Sequence, residues 1–201
     1  MEDITLLETN IDVAVLANIL SQLEENQWHN IIDYKTNKTR EETYEDHHKD
    51  TKTIPIKNNG MHAPGGEFVL DDPRVSYTYP EFHRSFYYLL KPILDRLVPK
   101  YGAIVSKLLL VKLPASEEVA EHADIGPTLE AARRIHIPII TNDKVRFTVG
   151  STSVNMLAGC AYEIDNQKLH YVENNGDIDR VHMIIDIYDE ATFLERSQYN
   201  V

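Results

Sequence analysis

The sequence predicts a mostly β fold, an antiparallel barrel or sandwich with α-helices beside it. Two observations carry this prediction. From residue 103 onward, short apolar runs rich in Val and Ile alternate with turn residues, and many short strands at such spacing are typical of antiparallel barrels and sandwiches. Before residue 103, two longer segments repeat their apolar residues at helical spacing. We therefore expect the helices in the N-terminal half and the barrel in the C-terminal half.

The length of 201 residues fits a single domain with a sizeable core. Within this one domain, 1–102 is expected to supply N-terminal helices and substrate-facing loops, 103–188 the barrel core with any metal site, and 189–201 a C-terminal tail. The formal net charge of −12 argues against a general nucleic-acid binder, which normally carries a basic face. No nucleic-acid partner is expected.

The single cysteine, Cys160, cannot form an internal disulfide, so nothing indicates an oxidising compartment. The first residues lack the basic and apolar regions of a signal peptide. No apolar run approaches the roughly 18 residues that a membrane span needs. These observations predict a cytoplasmic protein that does not associate with membranes.

Two helices are predicted in the N-terminal half. Apolar residues at helical spacing indicate a helix over 11–25, with Asn10 or Asp12 as its cap. A second helical pattern covers 80–98, and Pro92 should kink or divide that helix because proline removes a backbone hydrogen bond.

Between the helices, 33–50 is expected to be a solvated loop and 51–56 a strand, because its residues alternate and include β-branched types. The region 57–80 is rich in turn residues, and long ordered loops are often functional. We expect this region to form part of a substrate-facing wall. Its candidate contacts are Arg74, Tyr77 and Tyr79.

In the C-terminal half, turn signals separate seven apolar runs. The predicted strands are 104–113, 133–141, 145–149, 153–157, 161–164, 170–172 and 181–188. The segment 114–132 is predicted to be a loop with a short helical turn near 128–132.

A candidate metal site lies in and after this loop. His122 and Asp124 are two positions apart, so on an extended segment their side chains point the same way and converge. His170, at the start of a late strand, is the best candidate for the third ligand that a strong site needs. Two histidines and one carboxylate on one side of a metal are typical of non-haem Fe(II) oxygenases. Zn(II) can use the same ligands with water in the fourth position.

Arginines strengthen the case for a functional site. Arg134 and His136 alternate on one predicted strand and share a face, and Arg180 opens the last strand. An inward-facing arginine in a small barrel is costly unless it pairs with an anion, and its fork suits carboxylates. A dicarboxylate co-substrate beside the metal would satisfy both arginines. The structural alternative is a buried ion pair with Asp165, Asp179 or Asp186.

The alternation of the last strand separates its polar residues from its apolar ones. One face carries Arg180, His182, Ile184 and Asp186, and the other carries Val181, Met183, Ile185 and Ile187. By the same rule Arg133 should point outward if Arg134 points inward.

Taken in order, these motifs resemble the aspartyl/asparaginyl β-hydroxylase family. The motifs are His122-x-Asp124, Gly126-Pro127-Thr128, Arg134-x-His136, His170, and Arg180 leading into Ile184-Ile185-Asp186-Ile187. The resemblance covers about 104–188, under half of the chain. It implies a double-stranded β-helix, a jelly-roll or cupin-like barrel, that uses Fe(II), 2-oxoglutarate as co-substrate and O2.

The resemblance also implies roles for single residues. His122 and His170 would bind Fe(II), and Asp124 stands where some members have a carboxylate ligand and others a glycine, so it suggests a complete triad. Arg180 would pair with the distal carboxylate of 2-oxoglutarate. On the neighbouring strand, Arg134 and His136 would also contact the co-substrate.

The activity implied is hydroxylation of an unactivated C–H, with succinate and CO2 as co-products. The expected substrate is an amino acid or an amino-acid side chain in a peptide or protein. Two alternatives stay open: a cupin-like metal-dependent isomerase or hydrolase without 2-oxoglutarate, and a non-catalytic β-barrel binding protein. Arg180 at its offset from His170 argues against the first, and the intact set of ligands and arginines argues against the second.

Overall fold

A computed structural model of the chain describes residues 2–28, 32–33, 38–39, 48, 50–58, 81–101, 104–125, 127–189 and 191. Its architecture is the predicted one: mostly β, with antiparallel sheets and flanking helices. Within the described ranges, no helix is long and apolar enough to cross a membrane.

Twelve strands are assigned within these ranges, and all their pairings are antiparallel. They are β1 (Ile4–Glu8), β2 (Ile32–Asp33), β3 (Lys38–Thr39), β4 (Lys52–Asn58), β5 (Ile104–Leu113), β6 (Glu118–His122), β7 (Arg133–Ile140), β8 (Val145–Val149), β9 (Thr152–Val154), β10 (Ala161–Ile164), β11 (His170–Asn174) and β12 (Arg180–Tyr188). One sheet has the order β1-β10-β7-β12-β5-β4, a second has β6-β11-β8-β9, and β2 and β3 form a small pair.

Each predicted strand has a counterpart here, with ends shifted by a few residues. The sequence reasoning missed β1, β6 and the β2–β3 pair. β1 is an edge strand that pairs only with β10, and β6 lies inside a segment expected to be a loop. Both depend on partners that are distant in sequence, so local patterning indicated them poorly.

The helices are α1 (Ala14–Leu20), α2 (Glu81–Tyr101) and α3 (Pro127–Ala131), with a 3-10 turn at Glu25–Gln27. The predicted helix over 11–25 is shorter than expected. Asp12 Oδ1 accepts a hydrogen bond from the backbone N–H of Ala14 at its start (3.1 Å), and the chain turns at its end into the 3-10 segment.

Pro92 does not divide the second helix, because α2 runs on through both Pro92 and Pro99, and the alternative of a kink at Pro92 stays a prediction. The apolar face of α2, which includes Leu90, Ile93 and Leu97, is buried in the core against the large sheet. We attribute the tolerance of the lost hydrogen bonds to this packing, since tertiary burial outweighs one missing backbone bond.

Two apolar clusters lie on opposite faces of the six-stranded sheet. The outer cluster packs the sheet against α1 and α2 and takes Val181, Met183, Ile185 and Ile187 from β12. The inner cluster lies between the two sheets and includes Phe147, Val149 and Val172 of the smaller sheet. The other face of β12, with Arg180, His182 and Asp186, therefore points into the space between the sheets, as the alternation predicted.

Candidate active site

Strand pairing brings two histidines side by side at one end of the barrel. β6 ends at His122, and β11 begins at His170, and these two residues are direct partners across the ladder. Their ring centroids are 4.3 Å apart. His170 is buried and His122 is half-buried.

The backbone orients both rings in the same way. His122 Nδ1 lies 2.8 Å from the carbonyl oxygen of Ala120, and His170 Nδ1 lies 2.9 Å from that of Lys168. A carbonyl can only accept, so each Nδ1 carries a proton, and Nε2 is the nitrogen that is left to bind a metal. A backbone bond of this kind is the usual support for a metal-binding histidine.

Asp124 completes the set. One ligand atom from each of His122, Asp124 and His170 lies within 4.8 Å of the other two. Asp124 Oδ2 accepts hydrogen bonds from Arg134 Nη1 and from Asn166 Nδ2 (3.3 Å), so the carboxylate is held from the side of these two donors. Two neutral imidazoles and one carboxylate are a donor set that fits Fe(II) and leaves positions open on the metal.

Arg180 lies deeper between the sheets. It is 2% exposed, its guanidinium stands over the ring of Phe147 (5.8 Å to the centroid), and its Nη2 donates to His182 Nδ1 at 2.5 Å. In the described part of the chain it has no ion pair with a carboxylate. Burial without a counter-charge lowers the pKa of Arg180 to about 9.

His136 and His182 complete this inner pocket. Both are buried, with centroids 5.7 Å apart, and His136 meets the edge of Phe147 at 5.0 Å. Burial, and after it the charge of Arg180, holds the pKa of each imidazole well below its ordinary value, so both rings are neutral.

The polar atoms of this pocket lack partners. Of the five buried side-chain polar atoms that make no hydrogen bond among the described residues, four belong to it: His136 Nδ1, His136 Nε2, His182 Nε2 and Arg180 Nε. Buried polar groups are normally satisfied, so such a concentration indicates a site built for a ligand. Phe147 also stacks on His170 (6.4 Å), so the pocket adjoins the candidate metal site.

Arg134 has a different environment from the one expected. Its Nε and Nη2 each donate to an oxygen of Asp186 at 2.8 Å, and its Nη1 bonds Asp124. The sequence expectation joined Arg134 to a co-substrate, and the structural alternative named Asp186 as a buried partner. The structure has the buried ion pair of Arg134 with Asp186.

Arg133 points to the outer face as expected. It forms a two-pronged ion pair with Glu163 at 2.7 and 2.6 Å, and its guanidinium stands over the ring of Tyr101.

The structure adds residues that sequence reasoning left without a role. His182, Asn166 and Phe147 each touch the site, and His48, from the predicted loop over 33–50, has its ring 4.5 Å from that of His122. For His182 a signal existed, since it shares a strand face with Arg180. The predicted substrate contacts Arg74, Tyr77 and Tyr79 lie outside the described residues.

Comparisons with known proteins place the chain in a family and agree with its fold. The family model described as aspartyl/asparaginyl beta-hydroxylase matches residues 23–190. No curated protein sequence matches the chain.

Solved structures are similar in fold. A 2OG-Fe(II) oxygenase family oxidoreductase from Burkholderia pseudomallei has 12% identity and a TM-score of 0.55, with 92% of this chain and 84% of the other aligned. A prolyl hydroxylase from Trichoplax adhaerens, in complex with a hypoxia inducible factor peptide fragment, has 9% identity and a TM-score of 0.57, with 97% and 87% aligned. The chain spans 65% of the length of a conserved Streptococcus pyogenes protein of unknown function, with 8% identity, a TM-score of 0.33 and 42% of this chain aligned.

Proposed function

Since the chain belongs to the aspartyl/asparaginyl β-hydroxylase family and is a hydroxylase that uses Fe(II), 2-oxoglutarate and O2, we propose that it hydroxylates an unactivated C–H of an amino acid or of an amino-acid side chain in a peptide or protein. Succinate and CO2 are the co-products of this proposed reaction.

The observation that carries the proposal is the unpaired cation in the barrel. Arg180 is buried beside two neutral histidines, without an ion pair to a carboxylate in the described chain. A buried charge is strongly unfavourable until it meets an anion, and a guanidinium fork binds a carboxylate with two parallel hydrogen bonds. A dicarboxylate whose far end reaches Arg180 while its near end reaches the metal site satisfies the pocket.

The metal site is proposed to consist of His122, Asp124 and His170. Their donor atoms converge, and each imidazole is held by a backbone carbonyl so that Nε2 can ligate. Three ligands on one side leave positions for co-substrate and O2. When bound, Fe(II) with 2-oxoglutarate supplies the O2 activation that an unactivated C–H requires.

The pocket residues have separate tasks. Arg180 binds the distal carboxylate of 2-oxoglutarate, and His182 keeps Arg180 Nη2 in place by accepting its hydrogen bond. Because His182 Nδ1 accepts, its Nε2 carries a proton and can donate to the same carboxylate. His136 lies on the neighbouring strand and offers a further neutral donor. Phe147 forms the apolar wall that excludes water between pocket and metal.

The substrate class rests on the family and on one fold relative. The family name specifies aspartyl and asparaginyl side chains, and the Trichoplax hydroxylase of similar fold holds a peptide fragment. Arg74, Tyr77 and Tyr79 remain the proposed substrate contacts from the region 57–80. His48, which meets His122, suggests that the chain segment before this region also reaches the metal site.

Anaerobic titration of the Fe(II)-loaded protein with 2-oxoglutarate tests the proposal. We expect a weak visible charge-transfer band that saturates near one equivalent, and succinate on admission of O2. The matched variant is Arg180→Met, which keeps the metal ligands and should shift the titration to much higher 2-oxoglutarate.

A protein that binds Fe(II) but gives neither the band nor succinate contradicts the proposal. It would instead favour an isomerase or hydrolase that uses the same ligands.

A further inference from the structure

The metal ligand Asp124 is tied to a second carboxylate through one arginine. Arg134 lies directly opposite Asp186 across the β7–β12 ladder, and both side chains are almost entirely buried. The guanidinium uses Nε and Nη2 for Asp186, at 2.8 Å each, and Nη1 for Asp124 Oδ2. Three of its nitrogens are therefore engaged by protein carboxylates.

This geometry is poorly suited to co-substrate binding. The two-pronged edge of Arg134, which would grip a carboxylate of 2-oxoglutarate, already holds Asp186. Releasing it would leave Asp186 buried with Lys107, at 3.6 Å, as its remaining charged partner among the described residues. Arg180 is the other inner-face arginine that can bind a carboxylate through two nitrogens. It has no carboxylate partner among the described residues.

Charge explains why two carboxylates share one arginine. If Arg134 paired with Asp124 alone, its positive charge would cancel the charge that attracts a cation to Asp124. Asp186 offsets the charge of Arg134, so even with Lys107 at 3.6 Å from Asp186 the Asp124 carboxylate keeps more of its attraction for a cation than it would beside Arg134 alone.

We propose that the Asp186–Arg134 pair positions Asp124 as the third metal ligand, so that Arg134 is a positioning residue rather than a co-substrate contact. Asn166 assists from the other side: its side chain donates to Asp124 Oδ2 and its backbone carbonyl accepts from the Asp124 N–H at 3.0 Å. The inference rests on the proposed metal site and adds to it the device that orients its carboxylate.

The test is the Asp186→Asn variant, whose affinities for Fe(II) and for 2-oxoglutarate are measured separately. We expect Fe(II) affinity under anaerobic conditions to fall about 10- to 100-fold, the usual effect of losing a group that orients a metal ligand. The affinity of the metal-saturated protein for 2-oxoglutarate should change less than about two-fold, because Arg180 is untouched. Glu163→Gln is the matched control, since it removes the equivalent partner of Arg133 on the outer face and should change neither constant.

Two further measurements guard against loss of folding in Asp186→Asn. Arg134→Lys keeps the charge but cannot reach Asp186 with two prongs and Asp124 with a third. This variant should bind Fe(II) more weakly, again without a loss of affinity for 2-oxoglutarate. In the wild-type protein loaded with Zn(II), the NMR signal of Arg134 Nε–H should stay in place when 2-oxoglutarate is added, whereas that of Arg180 should move.

The outcomes separate this inference from the proposed function. Unchanged Fe(II) affinity in a folded Asp186→Asn protein overturns the positioning role, as does a 2-oxoglutarate-dependent shift of the Arg134 signal. Wild-type protein with no Fe(II) affinity overturns the proposed function itself.

Discussion

Arg134 and Arg180 share the same inter-sheet space, yet they are opposite cases. Arg134 is bonded to Asp186 and Asp124, and although burial works against its charge, these carboxylates raise its pKa. Arg180 has His182 and the face of Phe147 but no ion pair among the described residues, and burial lowers its pKa to about 9. The charge of Arg134 is paired within the fold, whereas we expect the charge of Arg180 to be paired by a bound anion.

This difference shows that an inward arginine does not by itself identify a ligand site. Its neighbours decide. Arg134 completes its charge pairing with Asp186 of β12 and with Asp124 after β6. Arg180 has beside it, in the described part of the chain, Phe147 and the neutral imidazole of His182. We therefore expect Arg134 to contribute mainly to fold stability and Arg180 mainly to ligand binding. Four substitutions test this division.

The largest effect is expected from Arg134→Met. It leaves Asp186 buried without its main counter-charge, which typically costs about 3–5 kcal/mol of unfolding free energy. Chemical denaturation followed by circular dichroism measures this loss. A loss below about 1 kcal/mol would contradict the view that the fold depends on this pair.

Arg180→Met should act on binding instead. Removing one partner of a buried charge pair costs about 2–5 kcal/mol, so the dissociation constant for 2-oxoglutarate should rise by a factor of roughly 30 to several thousand. Calorimetry on the metal-loaded protein measures it. Without ligand, the same variant should be as stable as wild type or more stable, because it removes an unpaired buried charge. A marked destabilisation of the ligand-free protein would break the comparison.

The histidines beside Arg180 predict a pH response. The folded state holds His182 neutral, with its pKa well below 6.5, whereas the unfolded state takes up a proton near pH 6.5. The unfolded state thus binds more protons below that pH, and stability falls as the pH falls. Between pH 7 and pH 5, the unfolding free energy of the His182→Gln variant should fall by about 2 kcal/mol less than that of the wild type. Parallel stability curves for the two proteins would show that His182 is charged in the folded state.

The smallest effect is expected from Arg133→Gln, on the outer face of β7, the strand that also carries Arg134. Its ion pair with Glu163 is partly exposed, with 37% of the Arg133 side chain accessible, and such pairs contribute about 0–1 kcal/mol. Denaturation should show a change of that size, and both Fe(II) and 2-oxoglutarate affinities should match those of wild type. A change in either affinity would mean that the two faces of β7 are coupled.

Whether a feature could be predicted from the sequence depends on how far apart in the chain the interacting residues are. The two-residue period of β12 correctly separated its apolar face from Arg180, His182 and Asp186, because alternation is a local property of extended chain. The same local rule placed Arg133 and Arg134 on opposite faces of β7. The convergence of His122, Asp124 and His170 was predicted from spacing and resemblance, and the geometry brings these residues together.

Other features depended on partners far along the chain. Nothing near β6 indicated that it would pair with β11, about fifty residues later, and set the two histidines 4.3 Å apart. Asn166 holds Asp124 from a turn after β10, and Phe147 reaches both the metal site and the Arg180 pocket from β8. Such contacts arise only when sheets close on each other, so no local pattern reports them.

The sequence by itself determined the fold class, the strand faces and the residue types that could form a metal and carboxylate site, because these follow from periodicity and side-chain chemistry. Only the tertiary structure decided which arginine is paired and which is not. Asp186 stands opposite Arg134 because β7 and β12 are neighbours in one register, and a one-residue shift of that register would have turned the carboxylate to the other face.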